Sequence, residues 1–177
     1  LDAVRAQNPD MVLLGGDIFD GQGMPDEHAM TALKSLGKEY ECYYVSGNHE
    51  LYAERLDEYK EMVRSCGITV LDGIHTKMAI SAISGTPDIY GFDDVTAYDD
   101  VMEQRAHIEQ IAANFHFENS FNVLLIHRPE HFEHYADLGF DLVLCGHAHG
   151  GQWRIPGVLN GFYAPGQGFL PKYAGGY

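Results

Sequence analysis

The sequence predicts an α/β fold on three observations. Four short apolar runs, Met11–Leu14, residues 41–45, residues 121–126 and Leu142–Cys145, have the length and composition of buried strands. Segments with apolar residues at helical spacing lie between them: Ala29, Leu33 and Leu36, then Leu56, Tyr59, Met62, Val63 and Cys66, then Ile108, Ile111 and Ala112. Each of the four apolar runs passes into polar residues, three of them by way of glycine, so that chemistry collects at strand ends. The 177 residues suffice for one domain with a sizeable core, and no repeat, linker or low-complexity tract divides residues 1–177.

In chain order, residues 1–7 read as the end of a helix closed at Asn8-Pro9, because the residue before proline avoids helical geometry. Met11–Leu14 follows as a buried strand and runs into Gly15-Gly-Asp-Ile-Phe-Asp-Gly21. In open α/β sheets ligands bind beyond the carboxyl ends of strands, which is where Asp17 falls; the simpler role for Asp17 and Asp20 is to cap the next turn. Pro25, Asp26 and Glu27 suit a first helical turn, and Gly37 is the expected stop of that helix. Residues 41–45 form the next strand and end in Ser46-Gly-Asn-His-Glu50, which offers the amide oxygen of Asn48 and the imidazole of His49. A helix stopped by Gly67 follows. From residue 68 the pattern changes to short β-like runs, at residues 68–71, 78–83 and 89–92, which predict an antiparallel portion of sheet.

Asp93, Asp94, Asp99 and Asp100 are expected in a solvated acidic loop that leads into a helix over residues 101–115. The strand at residues 121–126 ends in His127-Arg-Pro-Glu130, and Pro129 opens a short helix closed by Gly139. Leu142–Cys145 reads as a buried strand that stops at Gly146-His-Ala-His-Gly-Gly-Gln152. Side chains at i and i+2 of extended backbone point to the same side, so His147 and His149 are expected to present both imidazoles to one point. The turn-rich segment after Gln152 carries Trp153, Phe162, Tyr163, Phe169 and Tyr173; it reads equally well as a rim beside a site or as a packed irregular segment.

Composition narrows the function. A formal net charge of −15 opposes general binding to nucleic-acid phosphates, and an anionic substrate needs local positive charge such as a metal ion provides. No apolar run is long enough to span a bilayer. Cys42, Cys66 and Cys145 are odd in number and widely spaced in apolar stretches; they read as buried free thiols, which favours a reducing compartment. Asp17, Asn48 with His49, His127, and His147 with His149 stand at four strand ends, and strands sharing one sheet would gather them at a single edge. Mixed carboxylate, amide and imidazole ligands suit Mn, Fe or Zn better than Ca or Mg. Two such metals held close together can activate a bridging hydroxide and neutralise a phosphoryl group.

Gly16-Asp-Ile-Phe-Asp20, Gly47-Asn-His-Glu50, His127 and Gly146-His-Ala-His149, taken in this order, closely resemble the motif set of the calcineurin-like metallophosphoesterases. The resemblance runs from Gly16 to Tyr177. It implies a two-sheet β-sandwich flanked by helices, with Asp17 bridging two divalent metals and with Asn48, His127 and His147 completing one of them. It assigns His149 to the other metal and implies that His49 protonates the leaving oxygen as general acid. His127-Arg-Pro-Glu130, Gly150-Gly-Gln152 and the tail from Ala164 to Tyr173 resemble a bacterial phosphodiesterase subgroup tied to membranes or the cell envelope.

The implied activity is metal-dependent hydrolysis of a phosphodiester or pyrophosphate by a metal-activated hydroxide. The alternative is a non-catalytic metal-binding or interaction module that keeps the fold. One departure qualifies both. The family's first motif, Asp-x-His on an earlier strand, is absent from the residues before Asp17, and Asp26-Glu27-His28 follows Asp17 and cannot supply it. The expectation is a partial domain over residues 1–177 that lacks the first strand and the final strands, with one complete metal site and impaired turnover. Any membrane association would come from a segment outside these residues, in a protein located in the cytoplasm or at the envelope of a bacterium.

Overall fold

Alternation along the strands divides the apolar residues between two faces of two sheets, and three apolar clusters follow from that division. The computed structural model describes residues 1–19, 27–78, 86–98, 100–117, 120–155, 157–159 and 161–174. Strands β1 (Met11–Leu14), β2 (Glu41–Tyr44) and β3 (Thr69–Val70) form a parallel sheet in that order. In the second sheet, β4 (Ile74–Lys77) runs antiparallel to β5 (Asp88–Gly91), and β5, β6 (Asn122–Ile126) and β7 (Leu142–Cys145) run parallel. A short antiparallel hairpin, β8 (Tyr163–Ala164) and β9 (Gly168–Phe169), comes last. The helices are α1 (Asp2–Ala6), α2 (Glu27–Glu39), α3 (Asn48–Tyr52), α4 (Leu56–Ser65), α5 (Val101–Ala112) and α6 (Phe132–Asp137).

Tyr43, Val45, Leu71, Ile89, Val123 and Leu125 pack with Met11, Leu13 and Leu144, so that one face of each sheet meets the other. The alternate residues of the first sheet, Val12, Leu14, Cys42, Tyr44 and Val70, pack against Leu33 and Leu36 of α2 and Tyr59 and Val63 of α4. Those of the second sheet, Tyr90, Leu124, Ile126 and Val143, pack against Ile108 of α5 and Tyr135 of α6. The layers are therefore helices, sheet, sheet, helices. No helix among the described residues is long and apolar enough to cross a membrane.

Leu124 lies fully buried on β6, with β5 on one side and β7 on the other. Leu124→Ala is expected to lower the unfolding free energy by about 2–5 kcal/mol, through lost transfer energy and the cavity left behind. A domain of this kind has a total stability of about 5–15 kcal/mol, so the change should appear as a clearly earlier urea midpoint at an unchanged slope.

Several expectations need correction. The strands that carry the candidate ligands do not share one sheet: β1 and β2 belong to the first and β6 and β7 to the second. Residues 69–70 pair in parallel with β2 instead of joining an antiparallel block, whereas β4 and β5 do pair antiparallel. The β4 strand also comes earlier than the expected run at 78–83, of which 79–83 lie outside the described residues. Helix α2 continues past Gly37 to Glu39; a Cβ at Gly37 would lie 2.0 Å from the Cys66 carbonyl oxygen, so this glycine permits close packing and is no stop.

Among the described residues β7 is a sheet edge, and its end residues Leu142 and Cys145 are exposed; only Cys42 and Cys66 are buried thiols. Asp94 is buried and half-buried Asp93 is ion-paired, contrary to a solvated loop. Asp93 takes Lys60 as its partner and accepts from Ser46 Oγ at 2.8 Å, while Arg128 Nε lies 2.9 Å from Asp94 Oδ2. Two cations brought in by the fold offset the desolvation of these carboxylates. Asp100 behaves as read, capping α5 by accepting from the Met102 N–H at 2.7 Å. Asp20, the Pro25-Asp26 helix start, Asp99 and Gly175-Gly176 lie outside the described residues.

Candidate metal centre

Because β1 and β2 are parallel, as are β6 and β7, each pair delivers its next residues in one direction. Asp17 follows β1, Asn48 follows β2, His127 follows β6 and His147 follows β7. The His127 ring is the point on which they meet. Its Nδ1 lies 2.5 Å from the Gly15 carbonyl oxygen, which can only accept, so Nδ1 carries a proton and donates it there. Its Nε2 faces Asp17 Oδ2 at 3.2 Å, Asn48 Oδ1 at 3.2 Å and His147 Nδ1 at 3.1 Å. The potential donor atoms of Asp17, His127 and His147 all lie within 4.8 Å of one another. Asn48, His127 and His147 are buried, so water does not separate these lone pairs.

Electrostatics at this point follow from the crowding. Burial pushes the Asp17 carboxyl upward, but hydrogen bonds from His127 and the His49 backbone outweigh it and hold the group at about 2. Burial pushes the His127 imidazole down, yet its bonds to Asp17 and to the Gly15 carbonyl carry it above the ordinary histidine value. Lone pairs that face one another need a common positive partner. A proton on Nε2 is one such partner, and a divalent cation that displaces it is another.

The backbone is held in unusual shapes here. Asp17, His147 and His149 have φ of +55°, +59° and +49°, the left-handed region that costs a side-chain-bearing residue about 1–3 kcal/mol. Glu50 explains how Asp17 is kept there. Fully buried, its carboxylate accepts from the N–H groups of Asp17 at 3.0 Å, Ile18 at 2.7 Å, Phe19 at 3.1 Å and Gly47 at 2.8 Å. Asp17 Oδ1 in turn accepts from the His49 N–H at 3.0 Å. The loops after β1 and β2 are thereby locked together, and a Cβ on Gly47 would come within 2.2 Å of Asp17 Oδ1. The sequence reading gave Glu50 no role. Its signal was positional, since Gly47 caps α3 and Glu50 falls at the third helical residue, where a carboxylate turns back to backbone donors.

The structure thus brings Asp17, Asn48, His127 and His147 together. His49 is exposed on the first turn of α3, beside Asn48. His149 is exposed in a turn over His149–Gly151, with its Nδ1 3.4 Å from Gln152 Nε2. Left-handed backbone at both His147 and His149 replaces the extended pair that the sequence suggested. Asp17, His127, His147 and His149 line a cleft of about 950 Å³, and Phe132, Lys172 and Tyr173 form part of its wall. The aromatic tail therefore flanks the site.

Two stacked sheets whose strand ends gather a carboxylate, an amide and two imidazoles define the structural class. The chain belongs to the calcineurin-like phosphoesterase family, which it matches over residues 1–151. An uncharacterized metallophosphoesterase of Campylobacter jejuni is 29% identical over 150 residues, covering 84% of this chain and 38% of that protein. Phosphodiesterase YaeI of Escherichia coli is 32% identical over 154 residues, covering 85% of this chain and 52% of that protein. The chain spans about half the length, or less, of these two relatives. A solved crystal structure with 13% sequence identity superposes with a TM-score of 0.50, over 82% of this chain and 76% of its own, a likeness of fold alone.

Proposed function

We propose that this chain carries the phosphoester-hydrolysing centre of a metallophosphoesterase that acts on a phosphodiester or a pyrophosphate. The observation that supports it most is the meeting of three acceptors on His127 Nε2, a set of lone pairs that fits a cation. Asp17, Asn48, His127 and His147 would hold that cation, and this donor set suits Mn, Fe or Zn. When bound, a divalent metal supplies Lewis-acid polarisation of a phosphoryl oxygen and offsets the negative charge of both substrate and chain. Asp17, held at about 2, is ionised at neutral pH, and with His149 it would hold a second cation. His49, exposed beside Asn48, gives its proton to the leaving oxygen. The preference for a diester draws on the relative named as a phosphodiesterase.

His149 lies outside the group formed by Asp17, His127 and His147, which favours a second reading: a one-cation binding module without turnover. Two measurements separate the readings, the metal content per chain and the hydrolysis of bis(p-nitrophenyl) phosphate by the full-length protein. His49→Ala is expected to lower turnover by about 10²–10⁴-fold with metal content unchanged, the usual contribution of one proton donor. Metal without turnover in the unaltered protein would support the binding module. A protein that holds no metal and hydrolyses nothing would sink the proposal.

A further inference from the structure

We infer that Glu130 is a positioning residue for the metal centre: its carboxylate accepts the Nε2 proton of His147 and fixes that ring with Nδ1 turned toward His127. This rests on the metal-dependent reading above.

Three observations carry it. Both Glu130 carboxylate oxygens are shielded from solvent, and neither has a hydrogen-bond partner among the described residues. A buried carboxylate left so is costly unless a charged or polar group stands close by. Oε1 does have one neighbour of the right kind, His147 Nε2 at 3.3 Å. The opposite nitrogen of the same ring, Nδ1, lies 3.1 Å from His127 Nε2, on the side of the ligand cluster.

The tautomer then follows by elimination. Arg128 Nη1 is also 3.3 Å from His147 Nε2, but an arginine only donates. Once Nδ1 lends its lone pair to a cation, Nε2 must hold the ring's proton and faces two neighbours, of which only Glu130 can accept. Arg128 is anchored elsewhere, through Nε to Asp94 and Nη2 to Thr96 at 2.7 Å, and its Nη1 lies 3.8 Å from Glu130 Oε1. Its charge therefore steadies the buried carboxylate and leaves Oε1 to accept from the His147 Nε2–H once a cation holds Nδ1. A carboxylate behind a ligating histidine fixes the ring's rotation and raises the basicity of its ligating nitrogen.

The tail of the chain completes the arrangement. Gly166, in the turn between β8 and β9, has φ +71°, and a Cβ there would stand 1.8 Å from Glu130 Oε1 and 2.7 Å from its Cδ. The hairpin closes over the carboxylate with room for hydrogen alone. This gives the Ala164-Pro-Gly-Gln-Gly168 turn a task at the site, namely to keep Glu130 on His147.

The test is cobalt(II) binding to the 177-residue chain, with affinity read by competition against a chromogenic chelator and geometry read from the visible absorption of bound cobalt. Glu130→Met, similar in length but unable to accept from Nε2–H, is expected to weaken cobalt about 10–100-fold and to alter the bands. Glu130→Gln keeps an accepting oxygen and should recover most of the affinity. Gly166→Ala should weaken cobalt in the unaltered chain and add nothing to Glu130→Met, because both act through one carboxylate. If Gly166→Ala does not fold, the Met and Gln variants decide. Unaltered affinity and spectrum in Glu130→Met would overturn the role of Glu130 and leave the metal centre standing. An unaltered chain that binds no cobalt would overturn both.

Discussion

On the proposed function, His127→Ala is expected to abolish stoichiometric divalent-metal binding and with it all phosphoester hydrolysis, while the chain still folds. No other described residue touches as much of the site: Asp17, Asn48 and His147 all face its Nε2, and its Nδ1 ties β6 to the end of β1 through the Gly15 carbonyl. Loss of an outer partner of a metal ligand typically weakens binding about 10–100-fold, and removal of the ligand itself should exceed that. The folding cost is smaller. The Gly15 carbonyl loses its donor, worth about 1–3 kcal/mol if it stays buried, and a small space opens between the sheets. Against about 5–15 kcal/mol of total stability the fold should survive. Calorimetric titration with Zn and with Mn, beside a circular-dichroism spectrum, checks both halves of the statement. Stoichiometric binding in the variant would mean that the four side chains meet for a reason unrelated to a cation.

What the sequence showed and what it hid divides along locality. The strands and the polar residues that end them were readable because both signals lie within a few residues: an apolar run such as Met11–Leu14, then glycines, then Asp17. Sheet membership was not, since residues 68–71 carry the same local pattern whether they pair in parallel with β2 or antiparallel with a later strand. The parallel register of Thr69 with Tyr43 and Val70 with Tyr44 settles it. The burial of Asp93 and Asp94 was hidden for the same reason, since Lys60 and Arg128 stand 33 and 34 residues away from the carboxylates they pair with. The shape of the last histidine pair failed on a different count. Glycines at 146, 150 and 151 announced a tight turn, but the left-handed conformations fall on His147 and His149 as well, where strain has to be held by the surroundings. Glu130 and Glu50 were visible as letters within motifs, yet their work depends on contacts that sequence spacing alone does not give.

Glu50→Gln is expected to destabilise the fold by about 2–6 kcal/mol and to loosen metal binding as a consequence. Oε1 of Glu50 takes the N–H groups of Ile18 and Phe19, and Oε2 takes those of Asp17 and Gly47. Because each oxygen serves two donors, neither orientation of a glutamine amide can serve all four. The amide nitrogen must face two backbone N–H groups, which then stay buried and unpaired at about 1–3 kcal/mol each. Phe19 is itself buried against Tyr59 in the first apolar cluster, so water cannot readily replace the lost acceptor there. Where the amide nitrogen replaces Oε2, the left-handed backbone of Asp17 loses one of the bonds that hold it, and a relaxed Asp17 draws its carboxylate away from His127. In a chain of this size each kcal/mol is worth about 2–4 °C in melting temperature. Hydrogen exchange gives the sharper test: the amides of one pair, Ile18 with Phe19 or Asp17 with Gly47, should exchange markedly faster in the variant, while those of β6 stay protected. Unchanged exchange at all four amides would show that they have another acceptor and that Glu50 does not hold the loop.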